Sequence, residues 1–189
     1  MDYFLQTPKI EAARLHLRRL TMRDAQDIFA YSRDPLVAEH VLWEAHRNVL
    51  ETRGYVRYMI RKYRYGEPSS WGICLNTDDV VIGTIGFMWI SPENAAAEVG
   101  YSLSRAHWNK GYMTEALAAI LRYAFVEMEL NRVEAMFETT NPASGAVMRK
   151  CGMMPEGILR QRLVNKGKFV DVELCSILKK DYLEATCTT

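Results

Sequence analysis

At Trp71 the hydrophobic period changes from helical to two, and that change decides most of what this chain can fold into. Trp71 to Leu75, Val80 to Ile90 and Ala96 to Leu103 read as three strands. Only the short polar turns Asn76-Thr77-Asp78-Asp79 and Ser91-Pro92-Glu93-Asn94 separate them. Turns this short force neighbouring strands into an antiparallel meander. The pattern then leaves the meander. A helix is predicted from Gly111 to about Met128, with Met113, Ala116, Leu117, Ile120, Ala124 and Met128 on one apolar stripe. A strand from Val133 to Glu138 follows. A strand–helix–strand unit returns by a right-handed crossover, so the strands around Val99 and Glu138 are expected to be parallel.

The flanks complete the order. Ala13 to Leu20 reads as a strand, and Thr21 can cap the next helix with Asp24 at its third position. That helix carries Ala25, Ile28 and Phe29 and ends by Asp34-Pro35. A second helix spans Val49 to Tyr65, with Tyr55, Val56, Met59, Ile60 and Tyr63 on its apolar face and Arg57, Arg61, Lys62 and Arg64 on the other. Asn141-Pro142 opens a later helix to about Lys150, which Gly152 ends. Ile158 to Val164 and Phe169 to Leu178 flank the hairpin signal Asn165-Lys166-Gly167-Lys168. The sum is β-α-α-β-β-β-α-β-α-β-β, an α/β chain with a mixed sheet and helices on both faces.

At 189 residues the chain is expected to be one domain with a real core. Its 24 Lys and Arg against 23 Asp and Glu leave no global field to draw nucleic acid or a membrane. No stretch approaches the roughly 20 apolar residues of a membrane span, and Met1 to Ile10 lacks a signal-peptide layout. The cysteines, Cys74, Cys151, Cys175 and Cys187, form no C-x-x-C pair and no zinc spacing with the histidines. Cys74 and Cys175 lie in strand-like runs and are expected to be buried free thiols. These features favour a cytoplasmic, reduced, metal-free protein.

Two segments carry chemistry. Tyr101 to Ala116 runs from a strand through a basic, Gly-containing loop into a helix. Such a junction brings unpaired backbone N–H groups and a positive helix end to one point, where an anion can bind. Asn109 can cap the helix, Lys110 adds a cation, and Gly111 allows close approach of a ligand. The P-loop spacing is absent, and so are the further glycines of a dinucleotide fingerprint. The second segment is Thr139 to Met153. Its Asn141 and Ser144 can meet a ligand with an amide and a hydroxyl, or can serve as an N-cap and a solvated first-turn residue.

Together these segments resemble the GNAT superfamily of acyl-CoA-dependent N-acyltransferases, and most the branch of the ribosomal-protein-alanine N-acetyltransferases. Glu98-Val99-Gly100-Tyr101 is similar to that branch's fourth-strand motif. Trp108-Asn109-Lys110-Gly111-Tyr112-Met113-Thr114-Glu115-Ala116 is similar to its W-x-x-G-x-A-T-E-A loop, and Asn141 to Met153 resembles its N-x-x-S helix. The resemblance covers about residues 10–183, leaving 1–9 and 184–189 as extensions. Two positions depart from the pattern. Met113 replaces a small residue, which is tolerable if it faces the core, and Asn109 replaces a common Gly.

The resemblance implies acetyl-CoA as co-substrate. Backbone groups of Tyr101, Ser102 and Leu103 would pair with the pantetheine amides, between two parallel strands that splay. Trp108, Asn109, Lys110, Gly111, Tyr112, Met113 and Thr114 would form the pyrophosphate loop. Asn141 and Ser144 would line the pantetheine arm. Glu98 would act as base on the amine, directly or through a water, and Ser144 or Tyr101 would protonate the leaving thiolate. The chain has no nucleophile elbow, so the amine would attack directly in a ternary complex.

An α-amine, with a pKa about 7.7–8.0 against about 10.4 for Lys, costs roughly 3.5 kcal/mol less to deprotonate. The first expectation for the acceptor is therefore a protein N-terminus of ribosomal-protein type. A small-molecule amine (amino acid, polyamine or antibiotic) and a non-catalytic acyl-CoA-binding module are the alternatives, and a homodimer is left open. The aromatic and basic cluster of Tyr55, Arg57, Tyr58, Arg61, Tyr63, Arg64 and Tyr65, with Trp43 and Trp71, reads as a core stripe beside a solvated basic face, or as a surface for an acidic acceptor or ribosomal RNA.

Overall fold

The computed structural model describes residues 7–187; the expectations about the first six residues lie outside it. Among the described residues, eight strands form one sheet in the order β1-β2-β3-β4-β5-β6-β8-β7. They are β1 Ile10–Glu11, β2 Leu15–Arg18, β3 Ser70–Leu75, β4 Val81–Ser91, β5 Ala96–Leu103, β6 Arg132–Glu138, β7 Met154–Asn165 and β8 Lys168–Leu178. The helices are α1 Ala25–Ser32, α2 Pro35–Ala38, α3 Val49–Tyr65, α4 Tyr112–Arg122, α5 Pro142–Lys150 and α6 Lys179–Cys187. Among the described residues, no helix is long and apolar enough to cross a membrane.

The meander is antiparallel through β5, and β5 and β6 are parallel as the crossover requires. That parallel pairing is short. Ala96, Ala97 and Glu98 pair with Arg132, Val133 and Glu134, and there the register ends. Both strands continue, β5 to Leu103 and β6 to Glu138. On their outer sides they stay paired, β5 with β4 through Leu103 and β6 with β8 through Glu138. The sheet therefore parts between them.

Adjacent strand residues fall in different cores, as alternation demands. Ile73 belongs to the core beneath α4 and α5, whereas Cys74 belongs to the one beneath α1 and α3. The predicted α4 stripe is buried at every position, and Met113 is only 6% exposed. Thr21 and Asp24 form a capping box on the single 3-10 turn leading into α1. In α3 the buried face is Thr52, Val56, Met59 and Tyr63, with Tyr55 and Ile60 partly covered. Asn48 caps its start, and Gly66, at φ 63°, ends it.

Four features differ from expectation. A two-residue edge strand, β1, precedes the first predicted strand. The short α2 follows Asp34, whose carboxylate accepts from Leu36 N at 3.1 Å, with Pro35 as its first residue. The helix to Met128 is α-helical only to Arg122 and continues as a π turn over Tyr123–Glu127. β7 starts at Met154, not Ile158, because it is an exposed edge strand with almost no burial pattern to read. The hairpin turn is as predicted: Lys166 and Gly167 sit at φ 50° and 76°, the two left-handed residues of a I′ turn.

The approach of α5 to β6 is set by one glycine. A Cβ on Gly145 would lie 2.5 Å from Phe137 Cζ. Replacing a helical glycine by alanine gains up to about 1 kcal/mol, and overpacking costs about 1–3 kcal/mol. Gly145→Ala is expected to lose about 1 kcal/mol net, seen as a Tm drop of about 2–4 °C. Adding Phe137→Leu should recover part of it. A Tm at or above that of the parent would overturn this packing account.

Candidate active site

The site is built around the parting of β5 from β6. Glu98 stands in the last parallel pair before it. A bulge in β4 at Met88 puts Trp89, not Met88, opposite Glu98. The Trp89 indole N–H donates to Glu98 Oε2 at 2.5 Å. Burial pushes the Glu98 carboxyl above the ordinary carboxylate range; Glu134 adds to the rise, and the Trp89 hydrogen bond and Arg162 oppose it. Tyr101 lies three residues on, so its side chain leaves the opposite face of the strand. Its hydroxyl is 3.0 Å from Ser144 Oγ and 3.1 Å from the Ser144 carbonyl oxygen. Burial also pushes this phenol up, so it stays protonated at neutral pH.

Asn141 caps α5: its Oδ1 accepts from Ser144 N at 3.3 Å. Capping occupies only the oxygen, and the Asn141 amide nitrogen makes no hydrogen bond among the described residues. Ser144 is not a solvated bystander, since it ties α5 to β5 across the parting through Tyr101. Ser102 points the other way. Its hydroxyl is 3.2 Å from Thr84 Oγ1 on the α1/α3 side, and Leu103 is in the core. Ser102 and Leu103 therefore offer the parting their backbone.

The loop before α4 is tightly organised. The Trp108 indole donates to the Leu103 carbonyl at 2.8 Å, and Lys110 Nζ donates to the Ala106 carbonyl at 2.8 Å. Asn109 is not the helix cap. It takes a left-handed φ of 58°, and Gly111, at φ 79°, holds the N-cap position with no side-chain cap bond. The departure from Gly at residue 109 is thereby explained, because Asn tolerates this region better than other side chains. The first amides of α4, on Tyr112, Met113 and Thr114, are left without a capping side chain, which is the condition for an anion there.

Arg14 fixes this arrangement through contacts that no local sequence pattern signals. Its backbone N and its Nε donate to Glu115 at 2.6 and 2.7 Å, and Nη1 donates to the Lys110 carbonyl at 3.0 Å. The guanidinium also lies 4.7 Å from the Tyr112 ring centroid. Trp89 was equally invisible, since only the bulge brings it to Glu98.

The fold also gathers His16, Cys74 and Asp79, whose ligand atoms lie within 4.8 Å of one another, although no sequence spacing links them. This cluster is a poor cation site. Arg18 Nε donates to Asp79 Oδ1 at 2.8 Å, and the same oxygen faces His16 Nε2 at 3.0 Å. Burial pushes the Cys74 thiol up to about 12, far from the thiolate a metal needs. Cys74 and Cys175 are buried free thiols.

The geometry is a mixed sheet parted at a short parallel pair, with an uncapped helix N-terminus beside the parting and a half-buried carboxylate at its apex. The chain belongs to the GNAT acetyltransferase family, whose acetyltransferase domain matches residues 14–154, and it is an acetyltransferase enzyme. It is 34% identical over 169 residues to the uncharacterized N-acetyltransferase p20 of Bacillus licheniformis, covering 89% of this chain and 95% of that protein. It is 34% identical over 97 residues to the ribosomal-protein-serine acetyltransferase of Escherichia coli, covering 51% of this chain and 54% of that one. Its fold matches the ribosomal alpha-N-protein acetyltransferase RimL, solved in complex with coenzyme A, with a TM-score of 0.81 and 22% identity over 90% of this chain and 98% of RimL.

The loop makes a prediction about residue 109. A β-branched side chain is the least compatible with φ near 58°. Asn109→Val should be less stable than Asn109→Gly by about 1–2 kcal/mol in thermal or urea unfolding. Equal stability of the two variants would mean that the left-handed turn is not held in solution.

Proposed function

We propose that this chain transfers the acetyl group of acetyl-CoA to a primary amine by direct attack, and that the amine is the α-amine of a protein N-terminus. The observation that carries the reading is the parting of β5 from β6 immediately after Glu98. Unpaired strand edges there can hydrogen-bond the pantetheine amides as another strand would. The amides from Asn109 to Thr114, at the positive end of α4, suit the pyrophosphate. Asn141 and Ser144 flank the same opening, and the free Asn141 amide nitrogen can donate to a carbonyl of the arm.

Strand parity supports the following proton transfers. Glu98 and Tyr101 leave β5 on opposite faces. An acyl group lying in the parting is reached from the Glu98 side by the amine and backed on the other side by the Tyr101 hydroxyl. Glu98 accepts the amine proton, directly or through a water. The nitrogen bonds to the thioester carbon, the C–S bond breaks, and the Tyr101 O–H, poised by Ser144, protonates the sulfur. A thiol pKa of about 8.5 makes that last transfer helpful rather than obligatory. Support for a protein acceptor comes from the ribosomal-protein acetyltransferases among the relatives, and from the low cost of deprotonating an α-amine with one modest base.

Three experiments test this reading. Thr114→Glu adds an acid in the first turn of α4, where it suits the helix dipole and leaves the fold intact, but it repels a diphosphate. CoA affinity measured by calorimetry should fall at least about tenfold at unchanged Tm, by the cost of placing like charges within one turn; unchanged affinity would remove the loop assignment. The second follows kcat/KM for an N-terminal peptide from pH 5 to 9. Glu98 must be deprotonated, and its carboxyl is raised, so a rising limb should lie above the usual carboxylate range near 4.3. Glu98→Gln should abolish that limb and leave the limb of the amine. A CoA-release comparison of peptides with free polyamines and amino acids tests the acceptor class, and turnover only on small amines would overturn the N-terminal assignment.

A further inference from the structure

Glu98 has a second carboxylate beside it. Glu134 is its register partner on β6, in the last pair before the strands part. Neighbouring strands lie about 4.8 Å apart, and paired residues share a face. Glu134 is itself well covered, with a side chain 18% exposed. Two like charges on paired residues must be held there by something, and Arg132 holds Glu134. Its Nε donates to Glu134 Oε2 at 2.8 Å.

The guanidinium does not neutralise Glu134, because it is shared. Its two terminal nitrogens grip Glu156 of β7 at 2.6 and 2.7 Å. Glu156 also accepts from Ser176 Oγ of β8 at 2.6 Å. Arg132 first, then Ser176, pull the Glu156 carboxyl down to about 2, so it is ionised at any working pH and holds Arg132 by the stronger, bidentate contact. The trio of Glu134, Arg132 and Glu156 therefore carries one net negative charge, and the less neutralised end is the one beside Glu98. The other groups facing Glu98 are Trp89 from β4, which donates to it, and Arg162 from β7, which attracts its charged form.

We propose that Glu134 is a positioning residue for the transfer: an anchored negative charge, held by Arg132, that keeps Glu98 ready to take a proton from the acceptor amine. This rests on the reading of Glu98 as base. A carboxylate at the ordinary value would be a poor acceptor for an ammonium proton, and a neighbouring negative charge makes it a better one. The same charge favours approach of a cationic acceptor from that face.

The test is the pH profile of kcat/KM for three variants. Glu134→Gln keeps the size of the side chain and an oxygen for Arg132 Nε, but removes the charge. It should move the Glu98 limb to lower pH by about one unit, the effect of a like charge at this distance in a partly wetted site, with the high-pH plateau within about twofold of the parent. Glu134→Asp keeps the charge and should bring the limb back toward the parent position. If Glu98→Gln abolishes the limb while Glu134→Gln leaves its midpoint in place, Glu134 has no such role and the base assignment stands. If Glu98→Gln leaves the limb untouched, the base assignment falls and this proposal with it. Should Glu134→Gln and Glu134→Asp lower the plateau equally without moving the limb, Glu134 is only structural.

Discussion

The structure depends on two parallel strands that stop pairing after three residues. Abandoning a ladder inside a sheet exposes N–H and C=O groups that must find partners elsewhere, so each strand is held from its outer side. β5 stays in register with β4 to Leu103, and β6 stays in register with β8 to Glu138. Across the gap the connection is made by side chains, with the Tyr101 hydroxyl reaching Ser144 at the start of α5. The position of α5 is fixed in turn by the contact of Gly145 with Phe137 of β6. The opening is thus part of the packing, and a ligand with amide groups finds two strand edges already presented.

The same logic governs the loop at the start of α4. Two left-handed residues, Asn109 and Gly111, turn the chain so that the first helical amides face outward uncapped. Such a turn is not stable by itself. Arg14, just before β2, closes it, joining the Lys110 carbonyl to the Glu115 carboxylate. Glu115 does two things here: it lies in the first turn, where an acid suits the dipole, and it anchors the strand-end arginine that steadies the loop. The buried Met113 belongs to the same solution, since its side chain fills the core and leaves only its backbone toward the loop.

Sequence reasoning reached the elements that are periodic and the residues that are local. β5 and α3 lie at their expected bounds, because alternation marks the strand and the helical spacing of Tyr55, Val56, Met59, Ile60 and Tyr63 marks the helix. The crossover followed from topology alone. It failed where the cause was long-range. Asn109 looked like a cap because Asn commonly caps, but the cap position belongs to Gly111, whose φ only the folded loop reveals. Trp89 reaches Glu98 through a bulge that shifts the register by one, and Arg14 reaches Glu115 over 101 residues of separation. No local pattern encodes either contact. β7 shows the opposite limit, since a strand exposed on both faces has no hydrophobic period to read.

What remains is how the free end of β6 is held once β5 has left it. Glu138, its last residue, is a carboxylate only 8% exposed. Burial alone would push its proton affinity up, but the His40, Asn165 and Thr140 hydrogen bonds outweigh burial and hold it below the ordinary range. His40 Nδ1 lies 3.0 Å from one oxygen, and Asn165, from the β7–β8 turn, donates to the other. Asn165 also donates to the Glu39 carbonyl at 3.1 Å, and Lys166 donates to that of Val41 at 2.8 Å. One buried carboxylate therefore joins the strand end, the loop after α2 and the hairpin tip. A buried charge satisfied this fully is costly to expose, so the network anchors the end of β6 to the loop after α2 and to the hairpin, on the side away from the parting where β8 already pairs with it.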